Sequence, residues 1–259
     1  VEGGEGSGAA ADARRTKTTM IIEHMTTVAF AEGLKKTRTV IIPVGSIEEH
    51  GPHLPMHTDI FHACEIAKRA AGLVPVFVAP PIGFGVCRST ADFPGTIGVR
   101  STTLISLVGD VIRALYGHGM RNFILYSGHA GMNHVAALLE AADELMAAHD
   151  DVACAVITDI DLCDEEFFGL LQTKGDSHAG EIETSLIMAL APDLVGELPP
   201  ADRPTFSRPL LARDTKQHWK SGVWGDPTKA SEEKGTQMVE ILVRNLVKLV
   251  ERVNNREKR

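Results

Sequence analysis

The chain has 259 residues, 44% of them apolar and 23% charged, with 26 Lys and Arg set against 34 Asp and Glu. That length buries a large core without disulfides or metals, and the ordinary apolar balance excludes wholesale disorder. A formal charge of −8 counts against a general nucleic-acid binder while leaving room for a local basic patch, and no window approaches the roughly 18 uninterrupted apolar residues of a membrane span. Four cysteines, Cys64, Cys87, Cys154 and Cys163, form no CxxC pair. With no secretion signal in view, they read as reduced thiols of a cytoplasmic protein.

Residues 1–18 are small, polar and Gly/Ala-rich with no apolar period, which predicts a disordered extension. Residues 19–250 contain no linker, repeat or low-complexity break and read as a single domain, with 251–259 as a charged C-terminal tail. Continuous aliphatic and β-branched runs predict buried strands at Thr39–Val44, Val74–Ala79, Asn122–Tyr126 and Val152–Thr158. Helical patterns fall near Asp59–Ala71, Thr102–Gly117 and Asn133–His149, the second opened by Ser101, Thr102 and Thr103 as capping candidates. Strand–helix alternation predicts a largely parallel sheet covered on both faces. Ligands of such sheets bind outside the carboxyl ends of the strands.

Two histidine-rich loops fall at that edge. The first, Gly45–Asp59, carries Glu48 and His50 two residues apart, so an extended backbone turns both to one side. Gly51, Pro52 and Pro55 force a turn that can return Asp59 to the same point. Mixed imidazole and carboxylate suits Zn²⁺, Mn²⁺ or Fe²⁺. His53 and His57 read as outer or surface residues. The second loop, Ser127–Asn133, carries His129 between Gly128 and Gly131, small neighbours that allow close backbone approach. It lacks both G-x-G-x-x-G and a Walker lysine, which counts against a nucleotide loop. A third cluster, Asp176–Ser185, is a helix start with His178, Glu181 and Glu183 in or beside the first turn. Both glutamates also fit as plain helix-start residues that complement the dipole, and acidic, histidine-bearing loops are often merely solvated. Three such clusters in one chain favour a metal site over coincidence.

Four ordered motifs carry a resemblance. Pro43-Val-Gly-Ser-Ile-Glu-Glu-His-Gly-Pro-His-Leu-Pro55 with Asp59, Phe93-Pro-Gly-Thr96, Ser127-Gly-His-Ala-Gly-Met-Asn133 and His178-Ala-Gly-Glu-Ile-Glu-Thr-Ser185 together resemble the creatininase (creatinine amidohydrolase) family. The resemblance implies a three-layer α/β/α sandwich with a mostly parallel central sheet. It implies a metal-dependent amidohydrolase that cleaves a C–N bond of a small amide, cyclic amide or formamide with a metal-bound hydroxide. One or two divalent ions per subunit (Zn, Mn or Fe), a small-molecule substrate and a homo-oligomer, often a hexamer, follow from it, with no nucleic-acid or membrane partner. By position Glu48, His50, Asp59 and His129 match metal ligands, Asp59 as the bridge. His178 matches a catalytic histidine, and Glu183 matches the acid of the Glu-Thr-Ser motif, a further ligand or an acid/base.

The chain also departs from the family pattern. Ala130 and Gly131 stand where creatininases proper carry Tyr-Glu, whose glutamate is a ligand, so a second ion needs another donor such as Glu183. Lys174 stands where a tryptophan covers the substrate, Glu49 replaces a common Gln, and Val86–Asp92 lacks a histidine found in many relatives. Creatinine is therefore not the expected substrate. Related activities include deformylation of a formylaminopyrimidine nucleotide, trimming of a redox-cofactor precursor, and C–C ring opening of a keto-inositol. A catalytically silent metal- or metabolite-binding subunit is the reading from a different class. Arg88 and Lys174 are candidate anion contacts or simply solvated charges. Trp219 and Trp224 are candidates for a loop over the site or for packing at a subunit interface.

Overall fold

A computed structural model describes residues 19–206 and 210–256. The extension expected at 1–18, and residues 257–259 of the expected tail, lie outside the described residues. In chain order the elements are β1 (Met20–Ile21), α1 (Thr27–Leu34), β2 (Thr39–Val44), α2 (Thr58–Ala71), β3 (Phe77–Val78), α3 (Ser101–Gly117), β4 (Asn122–Ser127), α4 (Met132–Ala148) and β5 (Ala153–Thr158). Two short helices follow, α5 (Asp159–Leu162) and α6 (Glu165–Gly169), and then α7 (Glu181–Leu190) and α8 (Glu232–Asn254).

The strands form one five-stranded sheet in the order β1-β3-β2-β4-β5. Every pairing is parallel, and Thr39 to Val44 of β2 run in register with Asn122 to Ser127 of β4. Alternation along these two strands divides the core. Ile41, Ile124 and Tyr126 pack with Ile66 and Ala67 of α2 and Leu242 and Leu246 of α8. Val40, Ile42, Phe123 and Leu125 pack on the other face with Leu104 and Val108 of α3 and Leu138 and Ala141 of α4. Each fully buried aliphatic chain contributes about 1.5–3 kcal/mol against exposure, so both faces must be covered for such strands to form. The result is the three-layer α/β/α sandwich.

Several local expectations are revised. The second strand shrinks from Val74–Ala79 to Phe77–Val78, because Pro75 has no N–H to give a ladder. Ser101 is the first residue of α3 rather than its cap, which is Arg100, and no side chain caps that end. The sequence pattern did not assign β1 or α1. Helix α8 runs to Asn254, into the stretch read as a tail. It lies so close to α7 that a Cβ on Gly235 would stand 1.8 Å from the Ser185 carbonyl oxygen. Among the described residues no helix is long and apolar enough to cross a membrane.

The strand order fixes where a site can form. From β2 the chain crosses to β3 on one side, and from β3 it returns past β2 to β4 on the other. The loops leaving β2 and β4 therefore open on the crevice where ligands of open α/β sheets sit.

Candidate metal centre

Helix α2 starts wedged between the ends of β2 and β4. A Cβ on Gly45, just after β2, would lie 2.6 Å from the Ile60 nitrogen. A Cβ on Gly128, just after β4, would lie 2.1 Å from the Asp59 carbonyl oxygen. Only glycine permits such approaches, and they bring Asp59, in the first turn of α2, between the two histidine loops.

There Asp59 faces both ways. Its Oδ1 lies 3.0 Å from His50 Nε2, and its Oδ2 lies 3.2 Å from His129 Nδ1. Glu48 Oε2 stands 2.8 Å from the same His129 nitrogen. Glu183 Oε2 stands 3.8 Å from His50 Nε2. The His50 and His178 rings lie 4.3 Å apart at 34°. Glu48, His50 and Asp59 are buried, and His129 is only 8% exposed. The residues expected from sequence, Glu48, His50, Asp59, His129, His178 and Glu183, thus meet in one place, in two groups joined by Asp59.

Each imidazole is anchored from behind. His50 Nδ1 lies 3.0 Å from the Glu48 carbonyl, His129 Nε2 lies 3.3 Å from the Val86 carbonyl, and His178 Nε2 lies 2.8 Å from the Glu49 carbonyl. Histidine ligands characteristically donate their second N–H to such acceptors, which fixes tautomer and ring direction. With that proton assigned, the inward nitrogens of His50 and His129 face the carboxylates, and these are the atoms that would give up a proton and turn lone pairs to a bound ion. The donor set, imidazole and carboxylate, suits Zn²⁺, Mn²⁺ or Fe²⁺, so these residues fit a divalent ion in each group.

The electrostatics point the same way. Burial pushes the Glu48 carboxyl up, but the His129 charge and hydrogen bond outweigh it and hold the pKa at about 2. Burial likewise opposes ionisation of Asp59, and His50 and His129 reverse it, leaving the carboxyl well below its ordinary value. His50 is desolvated, yet Asp59 and Glu183 raise it to about 10. These are carboxylates that demand a positive neighbour in a nearly dry setting.

Several participants carried no sequence signal. Ser46 Oγ lies 2.5 Å from Asp59 Oδ2 and 3.2 Å from Glu48 Oε2, and Thr90 donates its hydroxyl to Glu48 Oε1. Ser46 sits two residues before Glu48, so strand-like alternation was the available hint. Thr90 has none. Cys87 is buried among the same groups, and burial together with Glu48 pushes its thiol up to about 11. Glu49, noted only as a departure from Gln, places Oε1 3.4 Å from His178 Nε2, and that oxygen has no hydrogen-bond partner.

The remaining expectations sort cleanly. His53 is buried, with Nε2 2.8 Å from Thr184 Oγ1, and His57 caps α2 against Phe61. Of the two helix-start glutamates, Glu181 is structural: Lys234 Nζ lies 2.6 Å away, and the Gln172 and Thr173 nitrogens donate to it. His178 precedes α7 in an extended segment that pairs with Trp224, whose nitrogen donates to the His178 carbonyl at 2.7 Å. Through that pairing Trp219 and Trp224 reach a cavity of about 360 Å³ above the two groups. Arg88 lines it as well; Lys174 is exposed and does not.

The family model for creatinine amidohydrolase matches residues 23–250. This chain belongs to the creatininase family. It is 30% identical to the creatinine amidohydrolase of Pseudomonas putida over 226 residues, 80% of this chain and 86% of that protein. It is 29% identical to the mycofactocin precursor peptide peptidase of Mycobacterium tuberculosis over 233 residues, 83% and 85% of the two chains. It is 28% identical to the 3-dehydro-scyllo-inosose hydrolase of Thermotoga maritima, covering 92% of this chain and 85% of that one. Among solved structures, a manganese form of creatininase superposes with a TM-score of 0.83 at 26% identity, covering 91% of this chain and 99% of its own. A Zn–Zn form of a creatininase variant gives 0.82 at 26% identity, covering 91% and 98%. As a creatininase-family member the chain is a hydrolase.

Proposed function

We propose that this creatininase-family member is a metal-dependent amidohydrolase that cleaves a C–N bond of a small amide, cyclic amide or formamide. One observation carries the reading: the two oxygens of Asp59 face His50 and His129, and both rings are backed by a main-chain carbonyl. Glu48, His129 and Asp59 would hold one ion, and His50, Glu183 and Asp59 a second. Glu183 stands in for the donor lost with Ala130 and Gly131. When bound, such ions supply a water acidified to near neutrality and a Lewis acid for a carbonyl oxygen.

The chain's own residues do the rest. Burial and His50 press the His178 ring toward neutrality, but Glu49 and Glu183 outweigh them and its pKa lies above the usual imidazole value. That environment favours the protonated ring, which suits His178 to protonate a departing nitrogen. Glu49, through its carbonyl at 2.8 Å, fixes the ring's direction. Trp219 and Trp224 wall the cavity and keep water from the reacting face. Cavity size limits the substrate to a small molecule or a chain end. Lys174 points no aromatic cover at the site, and Ala130-Gly131 replaces Tyr-Glu, which argues against creatinine itself. By resemblance the active form is a homo-oligomer, a hexamer in the family's usual arrangement, and the four free cysteines support a reducing, cytoplasmic setting.

The test is metal analysis of purified protein, then reconstitution of chelated protein with Zn²⁺, Mn²⁺ or Fe²⁺ against formamides, cyclic amides, peptides and a cyclic ketone. Metal-restored cleavage of an amide or formamide is the expected result. Exclusive ring opening of the ketone would move the reaction to a C–C bond. Stoichiometric metal without turnover of any of them would leave a silent binding subunit.

A further inference from the structure

One donor at the centre has no part in the scheme above. Cys87 lies in the loop between β3 and α3 and is 5% exposed. Its sulfur, a His129 ring nitrogen and a Glu48 carboxylate oxygen all lie within 4.8 Å of one another. Two donors on one tetrahedral zinc ion, at its usual bond lengths, sit about 3.6 Å apart. Closure of the three onto one ion therefore needs side-chain shifts of at most about an ångström.

The backbone that leads to the sulfur is held by its neighbours. The Val86 nitrogen donates to His134 Nδ1 at 3.2 Å, and the Val86 carbonyl faces His129 Nε2 at 3.3 Å. The Val99 nitrogen ties the Gly85 carbonyl at 2.9 Å. The peptide just before Cys87 is thus clamped to α4 and to the very histidine that shares the cluster. Cys64, Cys154 and Cys163 are only half-buried, and among the described residues none of them belongs to a comparable group of donors.

We propose that Cys87 is a thiolate ligand of the ion held by Glu48 and His129, making that half of the centre a soft, zinc-selecting site. The proposal rests on the two-ion reading and specifies the donors of one half. A thiolate beside imidazole and carboxylate favours Zn²⁺ over Mn²⁺, whereas His50, Glu183 and Asp59 offer only nitrogen and oxygen. The two halves then differ in kind, and a mixed zinc–manganese loading follows.

Chelated full-length protein titrated with Co²⁺ under nitrogen tests this. The expected spectrum contains a near-ultraviolet sulfur-to-cobalt charge-transfer band, absent in Cys87→Ser and kept when Cys64, Cys154 and Cys163 are all replaced by serine. Zinc affinity of Cys87→Ser should fall by more than the roughly 10–100-fold typical of losing an outer partner, with Mn²⁺ affinity falling less. Stoichiometric Co²⁺ binding with no such band, or with a band that survives Cys87→Ser, overturns the thiolate ligand and leaves the two-ion hydrolase standing. No Co²⁺ binding at all overturns both. Should Cys87→Ser fail to fold, the wild-type band and its retention in the triple serine variant still decide.

Discussion

Replacing Asp59 with asparagine puts the two-ion reading at greatest risk. Asparagine keeps the shape but trades one oxygen for an NH₂ group and removes the charge shared by the His50 and His129 sides, at 3.0 and 3.2 Å. A four-donor structural zinc site is worth about 10–16 kcal/mol, so a single donor accounts for roughly 3–4 kcal/mol, a few hundred-fold in affinity. Because Asp59 serves both groups, each ion should weaken by about that factor. The fold should lose far less. Breaking a buried pair costs about 3–5 kcal/mol when a charge is stranded. Here the stranded groups are imidazoles that can release their protons, so about 1–2 kcal/mol is expected. Calorimetric Zn²⁺ titration of chelated protein, with thermal melting of the metal-free forms as control, separates the two effects. Wild-type zinc affinity and full loading in Asp59→Asn would refute the bridging role.

Gly128→Ala should drive the Asp59 carbonyl from the end of β4, since the new Cβ would sit 2.1 Å from it. Overpacking of this kind costs about 1–3 kcal/mol, and both the melting temperature and the metal content of the folded protein should fall. Lys234→Met strands the buried Glu181 carboxylate that Lys234 Nζ meets at 2.6 Å, a loss of about 3–5 kcal/mol in urea unfolding that Glu181→Gln in the same chain should largely restore. Asp164 lies away from the centre, where hydrogen bonds from Asn245, the Phe167 nitrogen and Arg244 hold its carboxyl at about 2 against an ordinary 3.8. Its stabilising effect is complete above the ordinary value and lost as pH falls through about 2; an NMR titration should find that midpoint, raised in Asn245→Ala.

The parts of the fold that read well from sequence were those whose residues answer to one local rule. β2 and β4 are buried on both faces, so they appear as unbroken aliphatic runs, and the loops after them announce themselves by glycine and histidine. β1 is two residues long and has no period to read. The Trp219–Gly225 segment reaches the centre through main-chain pairing of Trp224 with His178, a partnership between residues far apart in sequence that leaves no local mark. The two glutamates of α7 were inseparable by type alone. A helix turns 100° per residue, so positions two apart point nearly opposite ways. Glu181 accordingly meets Lys234 of α8 while Glu183 meets His50. Thr90 and Cys87 come from an irregular loop whose path is set by His129 and His134, both outside it in sequence.

The division of labour within the fold bears on how one scaffold serves different substrates. Residues that meet at Asp59 sit in the first turns of α2 and α7 and at the ends of β2 and β4, where a small shift collides with backbone. The opposite wall of the cavity, Arg88, Met132, Trp219 and Trp224, comes from longer connections and a helix start with side chains facing outward. Substitution at the exposed Arg88 or Met132 changes shape and charge without touching a carboxylate or an imidazole of the centre. Relatives named for creatinine, a mycofactocin precursor peptide and 3-dehydro-scyllo-inosose lie at comparable identity, 30%, 29% and 28%. Similarity of the whole chain therefore ranks these substrates poorly. The outer wall, where Arg88 places a positive charge, is the part of the cavity a substrate test should address first. An anionic substituent on the substrate is the property that Arg88→Glu would penalise in KM while leaving zinc affinity unchanged.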